Sequence, residues 1–179
     1  MNVKLKKTAV FTFGRMNPPT TGHKKLVEVI KSLPGDHYVF LSHKVHPSTD
    51  PLPYPIKKEF TQQFFDGVTV GDDNASNIID VLKMLESKDY TDIVMVVGSD
   101  RVESFETLLK KYNNSEYSFE TISVVSAGDR DPDSADVSGM SASTQRRLVK
   151  IGDRAGFARG VPDAVYSEIL FNKLSEFMR

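Results

Sequence analysis

Cysteine is absent from the 179 residues, which removes disulfides, thiolate metal sites and a cysteine nucleophile together and suits a reducing cytosol. A surplus of positive charge is missing too. Lys and Arg total 23 against 24 Asp and Glu, for a formal net charge of -1, so no global field draws the chain to nucleic acid and any phosphate binding has to be local. Long apolar runs are also lacking: after Lys4, Lys6 and Lys7 the first apolar stretch stops at Gly14, too short for a signal-peptide core with a cleavage site. We therefore expect a mature start, a cytoplasmic location and no membrane partner. No internal repeat, low-complexity tract or linker interrupts the sequence. A hydrophobic content of 39% with 26% charged residues matches a globular protein, and the length fits one domain over 1–179.

What is present is an alternation of strands and helices. Thr8 to Phe13 is a β-rich apolar run stopped by Gly14, the signature of a buried parallel strand. Leu26, Val27, Val29, Ile30 and Leu33 then recur at helical spacing up to Pro34-Gly35, predicting a helix from about Thr21 to Leu33. The pattern repeats with strands at Tyr38–Leu41, Val68–Val70, Ile93–Val97 and Phe119–Val125. Between them helices are expected around Ile56–Phe65, Ala75–Leu85 and Val102–Tyr112, with two more from near Ser143 and over Asp163–Phe177. Such alternation predicts an α/β, Rossmann-like, doubly wound parallel sheet of about five strands with helices on both faces. Ligands of these sheets sit beyond the carboxyl ends of the strands, so the segments after Phe13, Leu41, Val97 and Val125 are where chemistry is expected.

After the first strand comes Phe13-Gly-Arg-Met-Asn-Pro-Pro-Thr-Thr-Gly-His23. Gly14 and the twin prolines shape a turn into the first helix, and Gly22 would let a ligand approach the backbone. Unpaired N–H groups and a partial positive charge at the helix start favour phosphate there, and Thr20 and His23, one helical turn apart, can face one anion. The spacing matches neither a P-loop nor a dinucleotide fingerprint, which disfavours an ordinary kinase or dehydrogenase. Late in the chain, Met140-Ser-Ala-Ser-Thr-Gln-Arg146 offers Ser141 or Ser143 as a helix cap, with Arg146 one turn on to neutralise a phosphate.

Thr20-Thr21-Gly22-His23 resembles the (His/Thr)-x-Gly-His signature of the cytidylyltransferase-like superfamily of nucleotidyltransferases. Met140 to Arg146 resembles that superfamily's second signature, Ile-Ser-(Ser/Gly)-Thr-x-x-Arg. Val96-Val97-Gly98-Ser99-Asp100 resembles its strand-end Gly-x-Asp element. Gly14-Arg15 followed by Asn17-Pro18 is similar to the Gly-Arg-Phe-Gln-Pro form of archaeal-type nicotinamide mononucleotide adenylyltransferases, with Met16 and Asn17 in place of the aromatic and Gln. Chains with Gly-Arg-Met-Asn-Pro-Pro and Met-Ser-Ala-Ser are also similar to bacteriophage cytidylyltransferase-like proteins, for which the compartment would be the host cytoplasm.

The resemblance implies transfer of AMP or CMP from ATP or CTP to a small phosphorylated acceptor, with release of pyrophosphate. The catalytic residues it implies are Thr20, His23 and Arg146. The nucleotide and phosphate contacts are Phe13, Gly14, Arg15, Gly22, Gly98, Asp100, Ser141 and Ser143. Mg²⁺ would be held mainly by the substrate phosphates, because no Asp/Glu cluster has ligand spacing. Self-association is expected from relatives that assemble.

Other residues invite weaker readings. His43 and His46 lack a third ligand and are read as acceptor-facing or exposed, not as a metal site. Asp129, Asp131, Asp133 and Asp136 lack the Gly and closing Glu of an EF-hand and read as a solvated flap. Lys57 and Lys58 could touch a phosphate, although lysines on a solvated helix face are common. The rival functions are a nucleotide-binding regulatory or structural protein without turnover, and a class I aminoacyl-tRNA synthetase, for whose anticodon-binding region the chain has no room.

Overall fold

A computed structural model describes residues 5–128 and 140–179. The acidic positions Asp129, Asp131, Asp133 and Asp136 lie outside the described residues. The described chain divides into two compact units, one built from 5–13, 26–40 and 67–128, the other from 14–25, 41–66 and 140–179. No helix among the described residues is long and apolar enough to cross a membrane.

The first unit carries the sheet. Strands β1 (Thr8–Gly14), β2 (Asp36–Leu41), β3 (Thr69–Val70), β4 (Asp92–Val97) and β5 (Thr121–Ser126) form a five-stranded parallel sheet in the order β3-β2-β1-β4-β5. The register pairs Val10 with Val94 and Ile93 with Ile122. Order runs outward from β1 to β3 and then restarts at β4 on the other side of β1. With right-handed crossovers, α1 (Thr21–Ser32) therefore lies on one face, and α3 (Ile78–Ser87) and α4 (Val102–Lys111) on the opposite one. This is the doubly wound arrangement that the alternation of elements predicts.

Strand alternation decides which side chains meet which helices. Ala9, Phe11, Ile93, Met95, Ile122 and Val124 share one face and pack with Val81, Leu82 and Leu85 of α3 and Leu109 of α4. Their neighbours Val10, Val39 and Val96 are fully buried as well, as expected where both faces are covered. Only β5 alternates between buried and exposed positions, which fits its place at the sheet edge. Helix α3 starts at Ile78 and not at Ala75 because Asn77 is its cap, accepting a bond from the Asp80 amide.

The second unit has its own core. Leu52, Phe60, Met140, Leu148, Val149, Phe157, Val161, Leu170, Phe171 and Leu174 come together from α2 (Tyr54–Phe64), α5 (Ala142–Ile151), α6 (Arg154–Arg159), α7 (Ser167–Phe177) and their connections. Gly152, at φ 74°, ends α5 in the left-handed conformation that glycine adopts without a Cβ penalty. Asp153 then caps α6 through the Gly156 amide. Helix α6 has no counterpart among the sequence expectations: it is six residues long with a glycine inside, too short to show a period. The single helix expected over Asp163–Phe177 is a 3-10 turn (Ala164–Tyr166) followed by α7, with Asp163 capping the start of the turn by accepting from the Val165 amide.

Candidate functional site

The loop that leaves β1 belongs to the second unit and is tied down residue by residue. The Ser42 amide donates to the Gly14 carbonyl at 2.9 Å. Met16 is buried at φ 42°, a left-handed conformation that costs a non-glycine residue free energy and persists only where its surroundings hold it. Asn17, fully buried, clamps the Leu52 backbone: its Nδ2 donates to the Leu52 carbonyl at 3.0 Å and its Oδ1 accepts from the Leu52 amide at 2.9 Å. The Asn17 carbonyl in turn accepts from Arg146 Nη1 at 2.9 Å.

Thr20 precedes α1 and caps it. Its hydroxyl accepts from the Gly22 amide at 3.2 Å and the His23 amide at 3.4 Å, and donates to the Met140 carbonyl at 3.1 Å. The Thr20 amide donates to His23 Nδ1 at 2.9 Å, so the neutral ring carries its proton on Nε2 and presents that nitrogen as a donor. Thr20 Oγ1 is also 3.2 Å from Nδ1, but its proton is directed to Met140. Thr20 is 1% exposed. Its observed contacts thus orient His23 and dock Met140.

Two expectations about this turn change in physical content. The first three amides of α1 are not bare phosphate donors, because the Thr21 amide donates to the Gly160 carbonyl at 3.0 Å and the next two reach Thr20. Gly22 is required for a protein contact: a Cβ there would stand 2.9 Å from the Met140 carbonyl oxygen and 3.4 Å from Thr20 Oγ1, so a side chain would push the two segments apart.

At α5, Ser141 is the cap, accepting from the Thr144 amide and donating to the Thr144 hydroxyl, each at 3.1 Å. Ser143 is on the first turn and exposed. Arg146 is half-buried; burial lowers its pKa, with nearby Asp50 opposing that effect and Arg15 adding to it.

Sequence reasoning passed over Asp50 and misread Lys57. Both are 0% exposed. Asp50 Oδ2 accepts from Thr49 Oγ1 at 2.8 Å, while Oδ1 has no hydrogen-bond partner and lies 3.9 Å from Arg15 Nε. Lys57 is not on a solvated face. Its Nζ donates to the Ser42 carbonyl at 2.7 Å and lies 3.4 Å from the Ser42 hydroxyl. Burial lowers its pKa to about 8 despite the attraction of Asp50, with Arg15 adding to the fall. The buried Asp50 carboxylate therefore has Arg15 3.9 Å away, and its charge also acts on Lys57 and Arg146. The visible signal is Asp50-Pro-Leu-Pro, a charge placed directly before a stiff apolar stretch.

The remaining candidates have contacts of their own. The His43 ring lies against Tyr54 with centroids 3.9 Å apart, and His46 Nδ1 accepts from Ser48 within a turn. Lys58 sits 6.0 Å from the Tyr54 ring centroid. Among the described residues no three His, Cys, Asp or Glu converge as metal ligands. Phe13, Gly98 and Asp100 belong to the first unit. Phe13 packs on the sheet core. Gly98 follows β4, and a Cβ on it would come 3.0 Å from Asp100 Oδ1, so the exposed Asp100 side chain folds back over the glycine.

No protein-family model matches the sequence, and no curated protein matches it. Solved structures do match. A Vibrio parahaemolyticus protein provisionally named nicotinate-nucleotide adenylyltransferase aligns with a TM-score of 0.62 at 20% identity, covering 94% of this chain and 100% of its own. Nicotinic acid mononucleotide adenylyltransferase of Plasmodium falciparum aligns in its complex with NaAD at a TM-score of 0.63 and in its complex with APC at 0.62. Both share 16% identity and cover 96% of this chain and 98% of theirs. This chain has the fold of those nucleotidyltransferases.

Proposed function

We propose that the chain is a nucleotidyltransferase that moves AMP or CMP from a nucleoside triphosphate to a small phosphorylated acceptor, with nicotinamide or nicotinic acid mononucleotide the first acceptor to test. The observation that carries this reading is the joining of two distant motifs in one unit. The Thr20 hydroxyl meets the Met140 carbonyl, Gly22 leaves room for that approach, and Arg146 holds the Asn17 carbonyl. The fold shared with the adenylyltransferases adds to it.

In this reading an acceptor phosphate oxygen attacks the α-phosphorus in line. The bond from that phosphorus to the β-phosphate bridging oxygen breaks, and pyrophosphate leaves with the bonding electrons. His23, held as the Nε2–H tautomer by the Thr20 amide, donates to an α-phosphate oxygen as negative charge grows. Arg146 and Arg15 hold the departing pyrophosphate, and positioning with charge stabilisation supplies the rate. Mg²⁺ would be carried mainly by the substrate phosphates, with water completing its shell. It would neutralise phosphate charge.

The test is pyrophosphate release with Mg²⁺ from ATP or CTP paired with nicotinamide mononucleotide, nicotinic acid mononucleotide, phosphopantetheine, glycerol 3-phosphate and phosphocholine. His23→Ala should slow release by about 100- to 1,000-fold. Triphosphate binding with no release from any pair would replace this reading with a non-catalytic nucleotide-binding protein.

A further inference from the structure

Asp50 is an unusual residue to find at 0% exposure with one carboxylate oxygen unpartnered. Such an oxygen is strongly destabilising unless positive charge surrounds it. The nearest positive charge is Arg15, 3.9 Å away on the loop after β1, and the carboxylate also attracts Lys57 on α2 and Arg146 on α5. Two of these cations are tied to backbone, and the third follows a tied residue. Arg146 donates to the Asn17 carbonyl, Lys57 donates to the Ser42 carbonyl, and the Ser42 amide donates to the Gly14 carbonyl next to Arg15. The cations outnumber the carboxylate three to one, so the group carries a net positive charge.

Burial divides the labour. Asp50 and Lys57 have no exposed surface and cannot touch a ligand, whereas Arg15 is largely exposed and Arg146 half so. We propose that Asp50 is a positioning residue that holds Arg15, the cation 3.9 Å from its unpartnered oxygen, for the polyphosphate group of the ligand. The inference rests on the nucleotidyltransferase reading for the identity of the anion and extends it to a residue that no motif marks.

The two simplest roles of Asp50 predict opposite signs. If it acted on the anion only through its charge, Asp50→Asn would tighten polyphosphate binding, because a repelling carboxylate is removed. If it positions Arg15, the same change weakens binding although the site becomes more positive. The experiment is calorimetric titration of wild type and Asp50→Asn with inorganic pyrophosphate at pH 7, with a thermal melt of each protein. We expect the dissociation constant to rise about tenfold or more in the variant, the scale on which misplaced contacts act. An unchanged or smaller constant in a folded variant overturns the proposal.

Should Asp50→Asn not fold, the double variant Asp50→Asn/Lys57→Met, which leaves no buried charge without its partner, is compared with Lys57→Met alone. Weaker binding in the double variant supports positioning, and equal or tighter binding overturns it. A wild-type protein that releases pyrophosphate in turnover while Asp50→Asn binds it as well as wild type refutes only this proposal. A wild-type protein that neither binds nor releases pyrophosphate refutes both readings.

Discussion

Lys57 makes the burial argument measurable without any substrate. Its side chain is 0% exposed, and its pKa falls from the ordinary 10.5 to about 8, burial outweighing the attraction of Asp50. Below about pH 8 the folded and unfolded chains both carry the proton, and the buried charge is a standing cost. Between about 8 and 10.5 the folded state has released that proton while the unfolded state still holds it, so the unfolded state binds more protons and stability rises with pH. The difference of pKa corresponds to roughly 3 kcal/mol over the window. Urea unfolding of wild type and Lys57→Met at half-unit steps from pH 7 to 10.5 isolates this contribution, since the other titrating groups are common to both proteins. Wild type should gain stability relative to the variant as pH rises, with most of the change above pH 8. A constant difference would mean that Lys57 titrates alike in both states and is not held as a buried cation. A fall would mean that Asp50 attraction exceeds the cost of burial.

Asn17→Ala removes both bonds to the Leu52 backbone and leaves a buried amide and carbonyl unpaired, so it should cost about 2–5 kcal/mol in urea unfolding. Gly22→Ala places a Cβ 2.9 Å from the Met140 carbonyl oxygen. It should lower stability by about 1–3 kcal/mol and reduce pyrophosphate release as well, whereas Gly152→Ala, at the end of α5 with open space around it, should affect stability alone.

Much of this protein is legible in its sequence because the signals are local. The apolar runs Thr8 to Phe13 and Ile93 to Val97 announce buried strands, and they are neighbours in the sheet. Ser141, one of the two serines that the sequence offers as a cap for the late helix, is that cap. Periodicity and capping depend on residues within a few positions of one another, so they survive reduction to a string of letters.

Tertiary structure alone decided the chemistry around those elements. Thr20 and Met140 are 120 positions apart and Asn17 and Leu52 are 35 apart, and no local pattern relates them. Gly22 was readable as a point of close approach, but what approaches it is the Met140 carbonyl. Lys57 and Lys58 are identical letters on one helix, yet only Lys57 is fully buried. Whether a lysine meets water or a backbone carbonyl depends on which segments the fold stacks over it, and that is settled when distant parts of the chain pack together.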